Sequence, residues 1–290
     1  MFGKLVKHEF RATARIIPFV YLVTIFLALV HIVTGRLNLG VISRISFVLM
    51  IAMCFAQVGI AFVLVIWRYY KNMYSNEGYL THTLPVHPSQ LLWSKLLTGF
   101  VWSALSYLVG AAVITGVIMA DFVRSPEQLS AISAVYHGFL TQVGLENHQT
   151  AMWFFVAVML VMSIVLLLTE AYFAITAGSL SKLHKLGVGG PVLVYFAEYV
   201  ALQIVSVVTV LFVPFGMKIT TGPNGALTGF KIVTQTMFSQ LSDSFNHSGF
   251  AAAGSDTGII GIGYYVIIPF IMIGLLLWTA RLITRHTSVK

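Results

Sequence analysis

Charge is what this sequence has least of. Asp, Glu, Lys and Arg make up 9% of its 290 residues, against about 25% in soluble domains, while 58% of the chain is hydrophobic and the mean hydropathy is +0.90. Too little polar surface remains to cover a water-soluble globule, so the composition is that of an integral membrane protein. A single cysteine, Cys54, excludes a disulfide framework and a thiolate metal site; set in an apolar run, it reads as a small buried hydrophobe. The chain has no Gly-x-x-x-x-Gly-Lys-Ser/Thr to cradle phosphates, no His-Glu-x-x-His and no Gly-x-Ser-x-Gly elbow. Nine histidines are scattered; the nearest pairs, His82 with His87 and His137 with His148, lack a third ligand at workable spacing, so no metal is expected. The net charge of +8 is not laid out as a basic stripe among surface aromatics, which argues against nucleic acid. No internal repeat is evident.

What is present is a series of long apolar runs. Spanning hydrocarbon takes about 20 mostly apolar residues, and six stretches qualify, approximately 16 to 35, 45 to 67, 96 to 120, 152 to 178, 188 to 217 and 257 to 280. The expected fold is an all-α integral membrane protein: an amphipathic helix over 1–15, a six-span domain over 16–281 and a short cytoplasmic tail over 282–290. Pro269 lies mid-span and predicts a kink, whereas Pro18, Pro191 and Pro214 lie nearer span ends. With both termini inside, twelve of the 17 basic residues are cytoplasmic and only Arg36, Arg44, Arg124, Lys218 and Lys231 lie outside. That bias predicts an N-in, C-in topology.

Residues 1–15 place Phe2, Leu5, Val6 and Phe10 near one helical face with cations on the rest, the pattern of a helix in the inner membrane interface. No cleavage site follows the first apolar run, which therefore reads as a retained anchor. Of the two long outer loops, one carries Ser125-Pro126-Glu127-Gln128, a capping box with proline at the first helical position, followed by Leu129, Ile132, Tyr136 and Leu140 on one face. In the other, Phe230, Val233, Met237 and Leu241 recur at helical spacing, which predicts a second short outer helix.

The least ordinary segment is the polar strip from Tyr74 to Pro88. Asn76-Glu77-Gly78-Tyr79-Leu80-Thr81 leads through Leu84-Pro85-Val86 and Pro88 to Leu91-Leu92 and Lys95, a pattern for a short helix over about 73–83 stopped by proline. With six spans and an amphipathic N-terminal helix, the chain resembles, over essentially its whole length, the permease subunits of type-2 ABC exporters. The resemblance implies that this loop is a coupling helix docked in a cytoplasmic ATPase, with Glu77 meeting basic or backbone donors and Tyr79 and Leu80 anchoring apolarly. It implies a smaller contact from the second inner loop, through Lys182, His184 and Lys185, which equally satisfy a plain positive-inside loop. It further implies two ATPase subunits carrying ATP and magnesium, a second permease subunit, identical or homologous, a surrounding lipid membrane, and no catalysis or cofactor in this chain. No sizeable extracellular domain is present, unlike in the larger members.

Two ionisable residues lie well inside the spans, Glu170 and Glu198. Counted at about 1.5 Å per residue, both stand roughly 12 to 16 Å from the cytoplasmic edge, and an intramembrane carboxylate marks a functional position by default. Ser163, Tyr195, Ser206 and Thr209 make their faces polar. These six residues either line a path for amphipathic or hydrophobic substrates, such as a peptide or lipid-like molecule, or join helices by hydrogen bonds. An ATP-independent proton-coupled transporter or channel, or a scaffold or sensor subunit that transports nothing, remains an alternative at this level.

Overall fold

A computed structural model describes residues 2–75, 78, 86–122, 126–143, 149–180, 183, 186–221, 227–248 and 257–286. The chain is mostly helical, and among the described residues six helices are long and apolar enough to cross a membrane: Ile17–Arg36, Gly40–Tyr74, Ser89–Asp121, Met152–Gly178, Gly189–Phe212 and Gly263–Thr284. In chain order the helices are α1 (Phe2–Thr13), α2 (Ile17–Arg36), α3 (Gly40–Tyr74), α4 (Pro88–Phe122), α5 (Pro126–Val143), α6 (Gln149–Gly178), α7 (Gly189–Phe212), α8 (Met237–Ser248) and α9 (Gly263–His286). Three strands lie between α7 and α9: β1 (Gly216–Thr221), β2 (Leu227–Val233) and β3 (Thr257–Gly261). Several helices extend beyond the apolar runs: α3 begins at Gly40 and α4 at Pro88, so Leu91, Leu92 and Lys95 belong to the first turns of α4.

The helices divide into two compact units, Met1–Leu129 with Ser163–Val194 and Leu276–Lys290, and Ser130–Met162 with Tyr195–Leu275. In the first unit, α3 buries Ser46, Met50, Cys54, Gln57, Ala61, Val65, Tyr69 and Met73, steps of three and four that define a single helical face. The matching face of α2 is Ile17, Val20, Thr24, Ala28, His31 and Thr34. Thr24, His31, Thr34, Ser46 and Gln57 thus share the inward faces with Ala28, Ala61, Met50 and Tyr69, while Phe19, Leu22, Phe26, Phe55 and Val63 are exposed. A hydrocarbon surround accounts for this inversion: large apolar groups gain nothing by leaving lipid, whereas small residues let helices approach and polar ones find partners. Ala28, Met50, Cys54 and Val117 pack together on α2, α3 and α4, which places Cys54 among buried apolar side chains, as expected.

Short connections set the hairpins. Asn38 adopts a left-handed conformation, φ 54°, which Asn tolerates better than most residues, and lets Leu39 N–H reach the Thr34 carbonyl at 3.0 Å between α2 and α3. At the α6–α7 hairpin a side chain on Gly178 would overlap the Gly190–Pro191 backbone.

In the second unit, β1 pairs antiparallel with β2 on one side and β3 on the other. Lys218 lies opposite both Lys231 and Ile259. The sheet corrects the helix expected across Phe230 and Val233, since both belong to β2 and the helix begins at Met237. Its strands contain Thr, Ile, Val and Phe, side chains that suit an extended backbone. Thr236 ends the extended run by capping α8, its hydroxyl accepting from Ser239 N–H at 3.1 Å. Gln240 pins that helix to the sheet by accepting from Ile259 N–H at 2.6 Å. The helix expected after Ser125 is present as α5, beginning at Pro126, and Pro269 lies within α9.

Gly99 on α4 is a point of close packing between helices in the first unit. A Cβ there would stand 2.7 Å from Val65 Cγ1 and 3.1 Å from the Tyr172 hydroxyl, so Gly99→Ala should destabilise the protein by about 1–3 kcal/mol, read as an earlier unfolding midpoint in detergent, whereas Gly59→Ala, with open space around its Cβ, should not.

Candidate functional site

The best-defined polar site joins α1 to α3 and α4. Glu9, the one acidic residue of the N-terminal segment, accepts from Lys95 Nζ at 2.6 Å through one carboxylate oxygen and from Arg68 Nε at 2.7 Å through the other. The Lys95 side chain is only 4% exposed and that of Glu9 12%, so the contact offsets part of the cost of burying each charge. Arg68 is 25% exposed and adds the second cation from the rim. Burial by itself would raise the Glu9 pKa; the Lys95 charge and the hydrogen bonds from Lys95 and Arg68 outweigh it and hold the carboxyl below its ordinary value.

Aromatic and hydroxyl contacts extend this junction to α6. Tyr69 and Tyr172 stack with ring centres 4.0 Å apart. Tyr69 and Tyr74 hydroxyls meet Thr176 Oγ1 at 2.8 and 3.0 Å, and the Tyr172 hydroxyl donates to the Lys95 carbonyl at 3.2 Å. Phe10 on α1 packs against Trp102, ring centres 5.8 Å apart, and Thr13 is buried. The ion pairs line a cleft with Val65, Thr98 and Gly99 that has room for about one water molecule. It is therefore a junction between helices and not a chamber for a substrate.

At the opposite end of the same helices, His31 Nε2 meets Asp121 Oδ2 at 2.8 Å, while Nδ1 faces the Ser43 carbonyl at 3.2 Å. Ser46 Oγ lies 3.1 Å from Thr34 Oγ1. The pair ties α2 to α4 and gives the buried His31 ring a partner in the half-buried Asp121. Between the two ends, Tyr21 bonds Ser106 Oγ at 2.8 Å and Gln57 Nε2 donates to the Ser106 carbonyl at 3.1 Å. Among the described residues, no group of three or more His, Cys, Asp or Glu is placed to hold a metal.

The residues expected from sequence are distributed as follows. Asn76, Glu77, Tyr79, Leu80, Thr81, Leu84 and Pro85 lie outside the described residues, as do Lys182, His184 and Lys185. Of the strip, Gly78 is buried, and its N–H donates to the Ser75 carbonyl at 2.7 Å. Both flanks of the strip are firmly held: Met73 is 1% exposed, Leu91 4% and Leu92 1%, and Tyr74 is bonded to Thr176. Glu170 is half-buried and Ser163 exposed in the first unit, while Tyr195, Glu198, Ser206 and Thr209 belong to the second. Thr209 is buried and its hydroxyl donates to the Ser206 carbonyl of its own helix at 3.0 Å, a use that suits helix packing. Sequence reasoning missed Glu9, Arg68 and Lys95 as a unit. The signal was available, because a carboxylate among Phe2, Leu5, Val6 and Phe10 on the inward side of α1 requires a cationic partner. Comparison with protein-family models, curated proteins and solved structures finds no match.

The depressed Glu9 pKa fixes the sign of a pH effect. Its contribution is complete above the ordinary carboxyl value of 4.5 and is lost as pH falls through the lower folded value. Amide exchange over residues 2–13, corrected for intrinsic rates, should therefore rise between about pH 5 and about pH 3. Glu9→Gln should show the raised exchange already at neutral pH and no acid step.

Proposed function

We propose that this chain is the transmembrane permease subunit of an ATP-driven type-2 ABC exporter in the cytoplasmic membrane, with both termini inside. What most supports the reading is the grip on both flanks of the 75–87 strip. Met73 and Tyr74 enter it from a buried foot on α3, and Leu91, Leu92 and Lys95 leave it through a buried foot on α4. A loop suspended between free helix ends would absorb a push by bending. Here the Tyr74–Thr176 and Lys95–Glu9 contacts would carry a push on the coupling segment expected over 73–83 into α6 and α1 together, as a rigid-body displacement requires.

In this reading two separate ATPase subunits bind ATP and magnesium, dock on Asn76 to Thr81 with Leu84 and Pro85, and touch Lys182, His184 and Lys185 more lightly. A second permease subunit, identical or homologous, completes the transporter. Ser163, Glu170, Tyr195, Glu198, Ser206 and Thr209 are the candidate path residues for an amphipathic or hydrophobic substrate, peptide or lipid-like. The chain itself is not an enzyme.

The test is purification of the full chain from native membranes, wild type beside the Glu77→Ala/Tyr79→Ala variant, with ATP hydrolysis assayed in each eluate. Co-purifying hydrolysis that falls about tenfold in the variant is expected, since a few anchors dominate such contacts. No hydrolysis in either sample would overturn the reading and turn attention to ATP-independent transport involving Glu170 and Glu198.

A further inference from the structure

The setting of α1 determines what its outer face can meet. At about 100° per residue, Lys4, Lys7, His8 and Arg11 fall within an arc of about 100°, opposite Glu9 and Thr13. All four are exposed, and so is Arg15 in the turn before α2. Three contacts prevent the helix from rolling: Glu9 on Lys95 and Arg68, Phe10 on Trp102, and the burial of Thr13. The face that an isolated interfacial helix would lay into hydrocarbon is thus largely occupied by protein. The arc opposite Glu9 is cationic, and the only carboxylate of residues 2–16 is already engaged inward.

We infer that this face of α1 binds anionic phospholipid headgroups, preferring them to zwitterionic ones. Charge complementarity and position both favour that occupant. Four Lys or Arg residues lie immediately before a membrane span, within reach of the headgroup layer, where each cation attracts anionic lipid appreciably. Exposed Ile16 and Phe19 follow directly, so the stripe adjoins apolar surface suited to the acyl chains beneath those headgroups. Because the attraction is between charges and not apolar burial, it weakens with salt. The inference does not depend on which solute the protein moves, or on whether an ATPase drives it.

The experiment is electron spin resonance on the full chain reconstituted in phosphatidylcholine bilayers, comparing spin-labelled phosphatidylglycerol with spin-labelled phosphatidylcholine. Wild type should retain the anionic label at its surface at least about threefold more strongly than the neutral one, the preference shrinking in about 1 M salt. The Lys4→Gln/Lys7→Gln/Arg11→Gln/Arg15→Gln variant should lose most of the preference. Lys4→Arg/Lys7→Arg, which preserves charge, should keep it and thereby control for folding. Equal retention of the two labels by wild type, or an undiminished preference in the neutralised variant, would overturn the inference.

Discussion

A lysine ammonium buried among membrane helices requires a counter-charge close at hand, and for Lys95 that counter-charge comes from a helix outside the spans. The Glu9 carboxylate is held between Lys95 and Arg68, so α1 is fixed to the feet of α3 and α4 and cannot float as an independent surface helix. Other contacts follow from that attachment. Phe10 reaches Trp102, Thr13 becomes buried, and the arc of α1 opposite Glu9 is left to Lys4, Lys7, His8 and Arg11. On the inner side, the Lys95 carbonyl receives the Tyr172 hydroxyl, and the stacked tyrosines with Thr176 bring in the end of α6.

The surrounding solvent explains why the rest of the first unit is built as it is. In lipid the apolar side chains have no reason to hide, and helices associate through close approach and hydrogen bonds. Gly99 permits that approach, while His31 with Asp121, Tyr21 with Ser106 and Gln57 with the Ser106 carbonyl supply the hydrogen bonds at successive levels. The polar contacts are few, but each joins two different helices. The second unit uses different means, an antiparallel sheet with a capped helix pinned to it, suited to a segment with too much Gly, Ser and Thr to span a membrane.

Much of this was legible in the residues. Six runs of apolar sequence gave six membrane-length helices because composition and length alone decide that question. The helix opening at Pro126 was signalled by the Ser-Pro-Glu-Gln sequence at 125–128. The strands were misread because Phe230, Val233, Met237 and Leu241 satisfy helical spacing by coincidence, while Gly222-Pro-Asn-Gly225 between two β-branched stretches was the better guide. The ion-pair junction escaped because it depends on residues 9, 68 and 95 meeting across three helices. In the sequence Arg68 counts only toward the inside-positive bias and Lys95 only toward that bias and as the end of the polar-strip motif, and neither role says anything of burial. Glu170 and Glu198 stood out as isolated carboxylates, yet their significance depends on what packs around them, which spacing within a single helix does not determine.

The claim on which the account turns is that Glu9 and Lys95 act as one unit. A double-mutant cycle with Glu9→Gln and Lys95→Met, following reversible unfolding of the full chain in bicelles, tests it directly. Glu9→Gln should cost about 3 kcal/mol by removing the carboxylate beside the buried Lys95 charge, and Lys95→Met less, because Arg68 still pairs with Glu9. The double variant should cost less than the sum by about 1.5–3 kcal/mol. Additive losses would contradict the account, for they would mean that α1 is held by its apolar contacts and that the ion pair is incidental to its placement.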